Sequence, residues 1–398
     1  MVATTVIILL IIALVIWLRI DFKLGMKQQQ NEANKTTQQT RYGDVTFLPN
    51  GNDFFEAMFT DIEEAKHHIH ILFYIVQDDQ LANDLFTLLK AKVNQGVEVR
   101  LLVDWFGSGV KRRTVRQLKQ AGITFAYSHP PKFPFLFFTL NRRNHRKITV
   151  IDGKVGYTGG FNVGDEYVGR SKKYGHWRDF HLRLAGDGVQ DLQEQFLQDW
   201  KVATGEEPRG ETIYPELKKG PIPLRILPTD GVFLEDTFLD LVKQAKRTIL
   251  IGTPYFIPGE KLQGELIAAC KRGVEVKLIL PKMSDHPLVK EGSYPYFSDM
   301  LAAGCLIYHF HDGFYHAKAV VIDEQVCDIG TANWDKRSLF IDHELNCIIY
   351  DKSFIDTVIE AMEYDITKSE ELTVKKYEQR SLVHRGKERL ATAFSGLL

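Results

Sequence analysis

The chain has 398 residues, 44% hydrophobic and 25% charged, and its 50 Lys+Arg against 51 Asp+Glu leave a net charge of -1. These values fit roughly two to three domains of average globular composition. They exclude a mainly disordered chain, a disulfide-stapled miniprotein and a polytopic membrane protein, and any nucleic-acid or membrane binding must rest on a local patch.

The first element breaks the average. Val2 to Leu18 carries no charge, and about twenty helical residues cover the roughly 30 Å of a bilayer core. Trp17 sits where an interfacial aromatic belongs, and Arg19 can snorkel outward. Arg19, Lys23 and Lys27 follow the apolar run, with no small-x-small cleavage site between. This order predicts an uncleaved anchor over residues 1–20 rather than a secretory signal. The same charges place the body on the cytoplasmic side of a cell membrane. Met26 to Arg41, rich in Gln, Asn and Thr, reads as a solvated tether within residues 21–43.

The remainder repeats itself. Phe54 to Tyr74 reads as an amphipathic helix and an apolar strand, and Leu234 to Phe256 repeats that pattern. Leu89 to Asp104 matches Ile267 to Pro281, each a helix stopping at a glycine (Gly96, Gly273) before a Val-rich strand. Gly122 matches Gly304 in a third repeated segment. Helices alternating with short apolar strands predict an α/β fold, with two similar domains packed about a pseudo-two-fold axis. The boundaries expected are 44–203 and 224–350, with a linker at 204–223 and a C-terminal helix and basic tail at 351–398. That tail fits either a membrane-apposed helix or one packed on the body. The four cysteines (Cys270, Cys305, Cys327, Cys347) lack metal-ligand spacing and read as reduced structural thiols.

The repeats converge on one chemical pattern. His145-x-Lys147 runs to Asp152 and on to Gly159-Gly160-Phe-Asn162; His316-x-Lys318 runs to Asp323 and on to Gly330-Thr-Ala-Asn333. At ordinary residue frequencies two such HxKx4D patterns arise by chance at a level of about 0.001. Side chains two apart share one face of a strand, so each half delivers an imidazole and an ammonium together. Two such pairs in one cleft suit a phosphodiester: one His attacks phosphorus while the other protonates the leaving alkoxide. The lysines and Gly/Asn turns supply charge and donors to the nonbridging oxygens. The scheme needs no metal and no cofactor. Asp152 and Asp323 complete the motifs, but their position at strand ends before Gly or Glu favours structural turn groups. Each imidazole needs an orienting acceptor, and a carboxylate opens a downstream apolar strand in each repeat. By sequence offset Asp179 is assigned to His145 and Glu344 to His316.

Paired HxKx4D motifs followed by G-G/T-x-N resemble the phospholipase D superfamily. HWRDFHLRLAG after the first motif and GTANWDKRSLFIDHELN after the second are similar to bacterial cardiolipin synthases, over about Asp44 to Tyr350. The resemblance implies two α/β-sandwich domains sharing one active site. It also implies His145 as the nucleophile that forms a phosphatidyl-histidine, and His316 as general acid then base; spacing alone does not decide which His attacks. Such enzymes often carry two amino-terminal spans, where this sequence shows one.

The superfamily includes phospholipases, phosphatidyltransferases and nucleases, so the substrate needs its own argument. His129 to Leu140 is Pro-interrupted and aromatic, and reads as a loop at the cleft mouth. Phe135, Phe137 and Phe138 would dip into the lipid interface, and Arg142, Arg143 and Arg146 would hold anionic headgroups. The alternative for this segment is a hydrophobic loop covering the sheet. A nuclease would use the same basic and aromatic residues on nucleic acid, but the anchor, the near-neutral charge and the WRD and NWDKRS segments speak against it. Resemblance favours joining two phosphatidylglycerols into cardiolipin with release of glycerol, over hydrolysis to phosphatidic acid or another phosphatidyl transfer.

Overall fold

The computed structural model describes residues 2–33, 39–210, 212–286 and 288–394. The first half supplies β1 (Arg41–Asn50), β2 (His68–Phe73), β3 (Glu98–Asp104), β4 (Thr124–Ser128), β5 (Ile148–Ile151), β6 (Val155–Gly159) and β7 (Trp177–Gly186). The second supplies β8 (Ile222–Asp230), β9 (Thr248–Gly252), β10 (Glu275–Pro281), β11 (Leu306–Phe310), β12 (Phe314–Tyr315), β13 (Ala319–Ile322), β14 (Val326–Gly330), β15 (His343–Ile349) and β16 (Ser369–Glu371).

All belong to one sheet. Outward from its centre the first half runs β1-β7-β6-β5-β2-β3-β4 and the second β8-β15-β14-β13-β9-β10-β11, with β16 beyond β11. The two orders match strand for strand, so the repeat seen in the sequence extends to topology. The halves join where β1 pairs antiparallel with β8, Tyr42 opposite Pro223.

Strand alternation sorts the apolar side chains onto two faces. Ile148, Val150, Leu250 and Val321 point to a core shared by both halves, covered by helices Gly188–Thr204 and Lys352–Thr367 through Phe196, Trp200, Ile355 and Met362. On the other face each half keeps its own core. Ile69, Ile71 and Val103 meet Phe54 and Leu85 in the first, and Ile249, Ile251 and Leu278 meet Phe238 and Leu266 in the second. The helix stops are as expected: Gly96 and Gly273 take φ of 88° and 91°, a left-handed backbone that costs glycine little.

The amino terminus departs from expectation. One helix, Val2–Glu32, is long and apolar enough to cross a bilayer, and its apolar window is not buried in the protein. Its polar end is no solvated tether, because the helix continues through it and buries Asp21, Gly25 and Gln29. Spaced four apart, these residues form one face. Asp21 accepts the backbone N–H of Phe138 at 2.7 Å, and Phe22 packs on Phe138 with ring centroids 5.7 Å apart. Gln29 reaches the carbonyl of Ile341 at 3.3 Å. Gln39 and Thr40 lead into β1, and residues 34–38 of the expected tether lie outside the described residues.

At the other end, helix Leu382–Phe394 packs on the body. Ala391 is buried, and His384 meets the Tyr294 ring at 4.3 Å. Leu382 and Val383 stay exposed. The four cysteines are free thiols; three are buried and Cys270 is half-buried.

Candidate active site

The motif residues precede their strands rather than lying within them: β5 starts at Ile148 and β13 at Ala319. Each lead-in crosses to the opposite half. Asn144 bridges His343, and His145 N–H donates to the His343 carbonyl at 2.9 Å. On the other side β12 pairs parallel with β7, and His316 N–H donates to the Arg178 carbonyl at 2.7 Å. The residues after His343 and Arg178 are Glu344 and Asp179.

This register overturns the expected carboxylate pairing. Nδ1 of His145 lies 2.9 and 3.0 Å from the Glu344 oxygens, and Nδ1 of His316 lies 2.5 Å from Asp179 Oδ2. Each imidazole takes its carboxylate from the other half. Sequence offset suggested the reverse because it tracks position within a repeat, not contacts across the seam. With Nδ1 engaged, Nε2 is the nitrogen each ring offers to the cleft.

Both rings line one cleft of about 440 Å³, together with Asn162 and Asn333. Asn162 accepts from Ile75 N–H at 3.2 Å and donates to Tyr167 at 3.3 Å. Asn333 donates to Asp335 at 3.1 Å, while its buried Oδ1 has no partner among the described residues. The carboxylates are themselves held. Glu344 accepts from Ser338 at 2.6 Å and Thr331 at 2.5 Å, and Asp179 accepts from Phe180 N–H at 2.8 Å. Gly160 stands where the second half has Thr331, and a Cβ there would fall 1.9 Å from Asp179. Gly159 and Gly330 lie against neighbouring backbone: a Cβ would fall 2.5 Å from His181 Cα and from the Leu345 carbonyl oxygen respectively.

Burial, reinforced by the charges of Lys147 and Lys318, pushes His145 well below its ordinary pKa. Burial and Lys318 push His316 down to about 4 against the pull of Asp179. Burial lowers Lys147 to about 7 and Lys318 to about 8, with Glu344 and Asp179 opposing. Burial alone would raise the Asp179 carboxyl, but Lys318 and His316 hold it below its usual range, whereas burial prevails at Glu344 and raises it. At neutral pH both rings are therefore neutral and the Asp179 carboxylate is ionised. Both Nζ atoms turn back toward their own motif: Lys147 donates to the His145 carbonyl at 2.7 Å, and Lys318 lies 2.7 Å from His316 Nδ1.

The family model described as cardiolipin synthase, phospholipase D-like domain, matches residues 58–200 and 238–366, one copy per half. The chain belongs to the phospholipase D-like cardiolipin synthase family. It is 42% identical to the minor cardiolipin synthase ClsB of Bacillus subtilis (strain 168) over 394 residues, 99% of each chain. It is 39% identical to the cardiolipin synthase of Oceanobacillus iheyensis over 90% of this chain and 76% of that one. The crystal structure of phosphatidylserine synthase from Haemophilus influenzae shares the fold, with a TM-score of 0.71 at 17% identity over 94% of this chain and all of that one.

Not every residue singled out in the sequence meets this cardiolipin synthase cleft. Asp152 accepts three backbone N–H groups, from Lys66, His67 and His68 at 2.7–2.9 Å. Asp323 does the same for Lys246, Arg247 and Thr248. With φ of 52° and 53°, both aspartates are turn anchors. Two arginines expected to hold headgroups are internal struts. Arg143 is buried against Asp104 at 3.2 Å, and Arg146 is buried between Asp199 and Asp230 at 2.7 and 2.5 Å. Arg142 lies over the Phe138 ring, away from the cleft lining.

The aromatic segment is no free loop at the mouth. Leu136–Asn141 is a short helix, Phe138 is buried, Phe137 faces Phe22 at 6.1 Å and Phe135 is half-buried. Among the described residues, Arg337 supplies the arginine lining the cleft; it is held by Asp342 at 3.2 Å and by the Asn141 carbonyl at 2.6 Å. It belongs to the NWDKRS segment, whose sequence alone assigns the arginine no role.

Proposed function

We propose that the cleft transfers a phosphatidyl group from one phosphatidylglycerol to a glycerol hydroxyl of a second, forming cardiolipin and releasing glycerol. The observation that carries this reading is the crossed pair of carboxylate-held imidazoles in one cleft of a cardiolipin synthase-family chain. His145, neutral and held by Glu344, presents Nε2 to phosphorus. As the N–P bond forms and the bond to the glycerol oxygen breaks, His316 delivers its proton to the leaving oxygen. The ionised Asp179 stabilises the His316 imidazolium, which suits that ring to the acid role; binding the anionic phosphodiester favours its protonation. The incoming hydroxyl then gives its proton to His316, its oxygen bonds to phosphorus, and the N–P bond breaks. Arg337 and the two lysines oppose the negative charge of the phosphoryl oxygens throughout. On this reading the apolar helix holds the body at its lipid, on the cytoplasmic side by the charges of Arg19, Lys23 and Lys27.

The test is incubation of the purified protein with labelled phosphatidylglycerol in detergent micelles. Cardiolipin with equimolar glycerol is the expected product. Phosphatidic acid alone would identify a hydrolase, and no lipid turnover beside cleavage of single-stranded DNA would identify a nuclease.

A further inference from the structure

The arginines at 143 and 146 turn inward, but a second set of cations lies on the surface of the same half. Helix Arg112–Gln120 carries Arg112, Arg113, Arg116 and Lys119, is preceded by Lys111, and contains no acidic residue. All five cations are exposed. Lys111 lies 3.5 Å from Asp78, and among the described residues the other four have no ion pair. Arg112, Arg116 and Lys119, spaced four and three apart, share one face of the helix, while Leu118 is buried in the first-half core. With Trp105 and Tyr127 that face lines an open cavity of about 650 Å³, and none of its described lining residues is acidic.

This surface is continuous with the amino-terminal helix. Trp105 is followed by Phe106, and both rings are exposed, Phe106 at 64%. Asp104 ties the pair down by accepting the Phe106 and Gly107 N–H groups, each at 2.9 Å. Its other oxygen accepts the N–H of Asn144 at 3.0 Å, next to His145. The Arg143 guanidinium lies 5.7 Å from the Phe106 ring centre and donates to the Thr139 carbonyl at 2.5 Å. Thr139 belongs to the helix Leu136–Asn141, whose Phe137 and Phe138 pack on Phe22. Phe22 stands four residues past Leu18, the end of the uncharged run. That is about 6 Å at helical rise, and the headgroup layer of a bilayer is about 5–7 Å deep on each side. A membrane-spanning Val2–Leu18 therefore sets Leu136–Asn141 at headgroup depth, where Phe133 (82% exposed) and Leu140 are also free of the core.

Unpaired cations beside exposed aromatic rings fit the boundary of an anionic bilayer. The rings settle among the headgroups, and the cations are drawn by a negative surface potential that fades within a Debye length. We propose that Trp105, Phe106 and the face of Arg112, Arg116 and Lys119 form a second membrane contact, taking the phosphates of anionic lipids. The contact rests on the anchoring role of the amino-terminal helix and not on the transfer reaction. Because Asp104 joins this loop to Asn144, the same contact sets the height of the His145 lead-in above the lipid surface.

The test is a footprint of the full chain in nanodiscs of phosphatidylcholine, alone or mixed with phosphatidic acid, an anionic lipid without a phosphodiester. Phenylglyoxal modification of Arg112 and Arg116 and hydroxyl-radical oxidation of Trp105 and Phe106 are mapped by peptide mass. Arg209 and Tyr214, both exposed, are the references. Their linker reaches the turn after β5, at the far end of that strand from His145, where Gly153 lies against the Ile213 carbonyl. Anionic discs should slow all four sites several-fold relative to the references, and ionic strength near 1 M, where the Debye length is about 3 Å, should restore the rates. Equal rates in neutral and anionic discs overturn the contact. Slowing of the arginines without the rings overturns it too, since anions would then collect without the face lying on lipid. So does slowing by inorganic phosphate or an RNA oligonucleotide in neutral discs that anionic discs fail to reproduce. Failure of the chain to co-elute with discs of either composition overturns the anchoring reading, and this contact with it.

Discussion

Replacing Asp179 with Asn tests the crossed pairing at its most exposed consequence. The carboxylate is fully buried, 2.5 Å from Nδ1 of His316 and 3.8 Å from Nζ of Lys318. An amide keeps the shape and removes the charge. A hydrogen bond to a charged group contributes about 1.5–3 kcal/mol, which at about 1.4 kcal/mol per tenfold is a roughly ten- to hundredfold loss of turnover. The amide can also hold the imidazole in the wrong tautomer, a defect that reaches about 10⁴ where a carboxylate orients a catalytic histidine. The expected fall in kcat is therefore about 10²–10⁴, with little change in KM. Asp179 is also what opposes burial at His316, so that ring, already at about 4, loses proton affinity further. His145, held by Glu344, keeps its Nδ1 partner. Diethylpyrocarbonate modification of each histidine against pH, mapped by peptide mass, reads the two rings separately. Asp179→Asn should move the His316 profile and leave that of His145 in place, and Glu344→Gln should do the reverse. If Asp179→Asn moved His145 and spared His316, the crossed arrangement would be wrong.

His145→Asn and His316→Asn should each abolish turnover while leaving the melting temperature near wild type; near-native activity in either would refute the shared cleft. Asp152→Ala removes three backbone hydrogen bonds and leaves a φ of 52° that alanine resists. It should destabilise the fold by roughly 2–4 kcal/mol in denaturant titrations while the folded fraction keeps its kcat. The general acid His316, at about 4, loses its proton first as pH rises, followed by Lys147 at about 7 and Lys318 at about 8, so kcat/KM should decline above about pH 4 and more steeply from about pH 7 to 9. The acid limb, set by His145, should lie well below 6.5, and a profile flat to pH 9 would remove the lysines from phosphate binding. Gly25→Leu places its Cβ 2.4 Å from the Phe138 ring. It should lower activity in vesicles several-fold and recover part of it when combined with Phe138→Gly, which removes the Cβ at 2.5 Å as well as the ring.

Features carried by local periodicity were legible in the sequence. Gly96 and Gly273 mark helix ends through their own backbone geometry, and the doubled HxKx4D pattern reports a doubled lead-in to a strand, whatever lies around it. Contacts across the seam were not legible, because the register of β12 on β7 and of Asn144 on His343 is written in neither repeat alone. Charge was legible but not its destination: Arg146 precedes Lys147, yet its guanidinium points inward to Asp199 and Asp230. The polar end of the amino-terminal helix was hidden because its fully buried positions are Asp21, Gly25 and Gln29, and the half-buried Phe22 and Met26 beside them are too few to raise a periodic signal. The four-residue spacing of those positions was the available clue.

The crossed carboxylates bear on why the two halves form one sheet. Were each histidine oriented within its own half, the halves could shift against each other and keep two working imidazoles. Here His145 depends on β15 and His316 on β7, and these strands flank the β1–β8 seam on either side. A displacement of one half along the seam would stretch both hydrogen bonds together, so the geometry that brings two rings to one phosphorus is also the geometry that orients them. The amino-terminal helix joins the same system. It grips Phe138 in the segment leading to His145 and Ile341 in the segment leading to Glu344, one contact on each side of a single dyad. A helix long and apolar enough to cross a bilayer is thereby fixed to the two segments that set the His145–Glu344 pair.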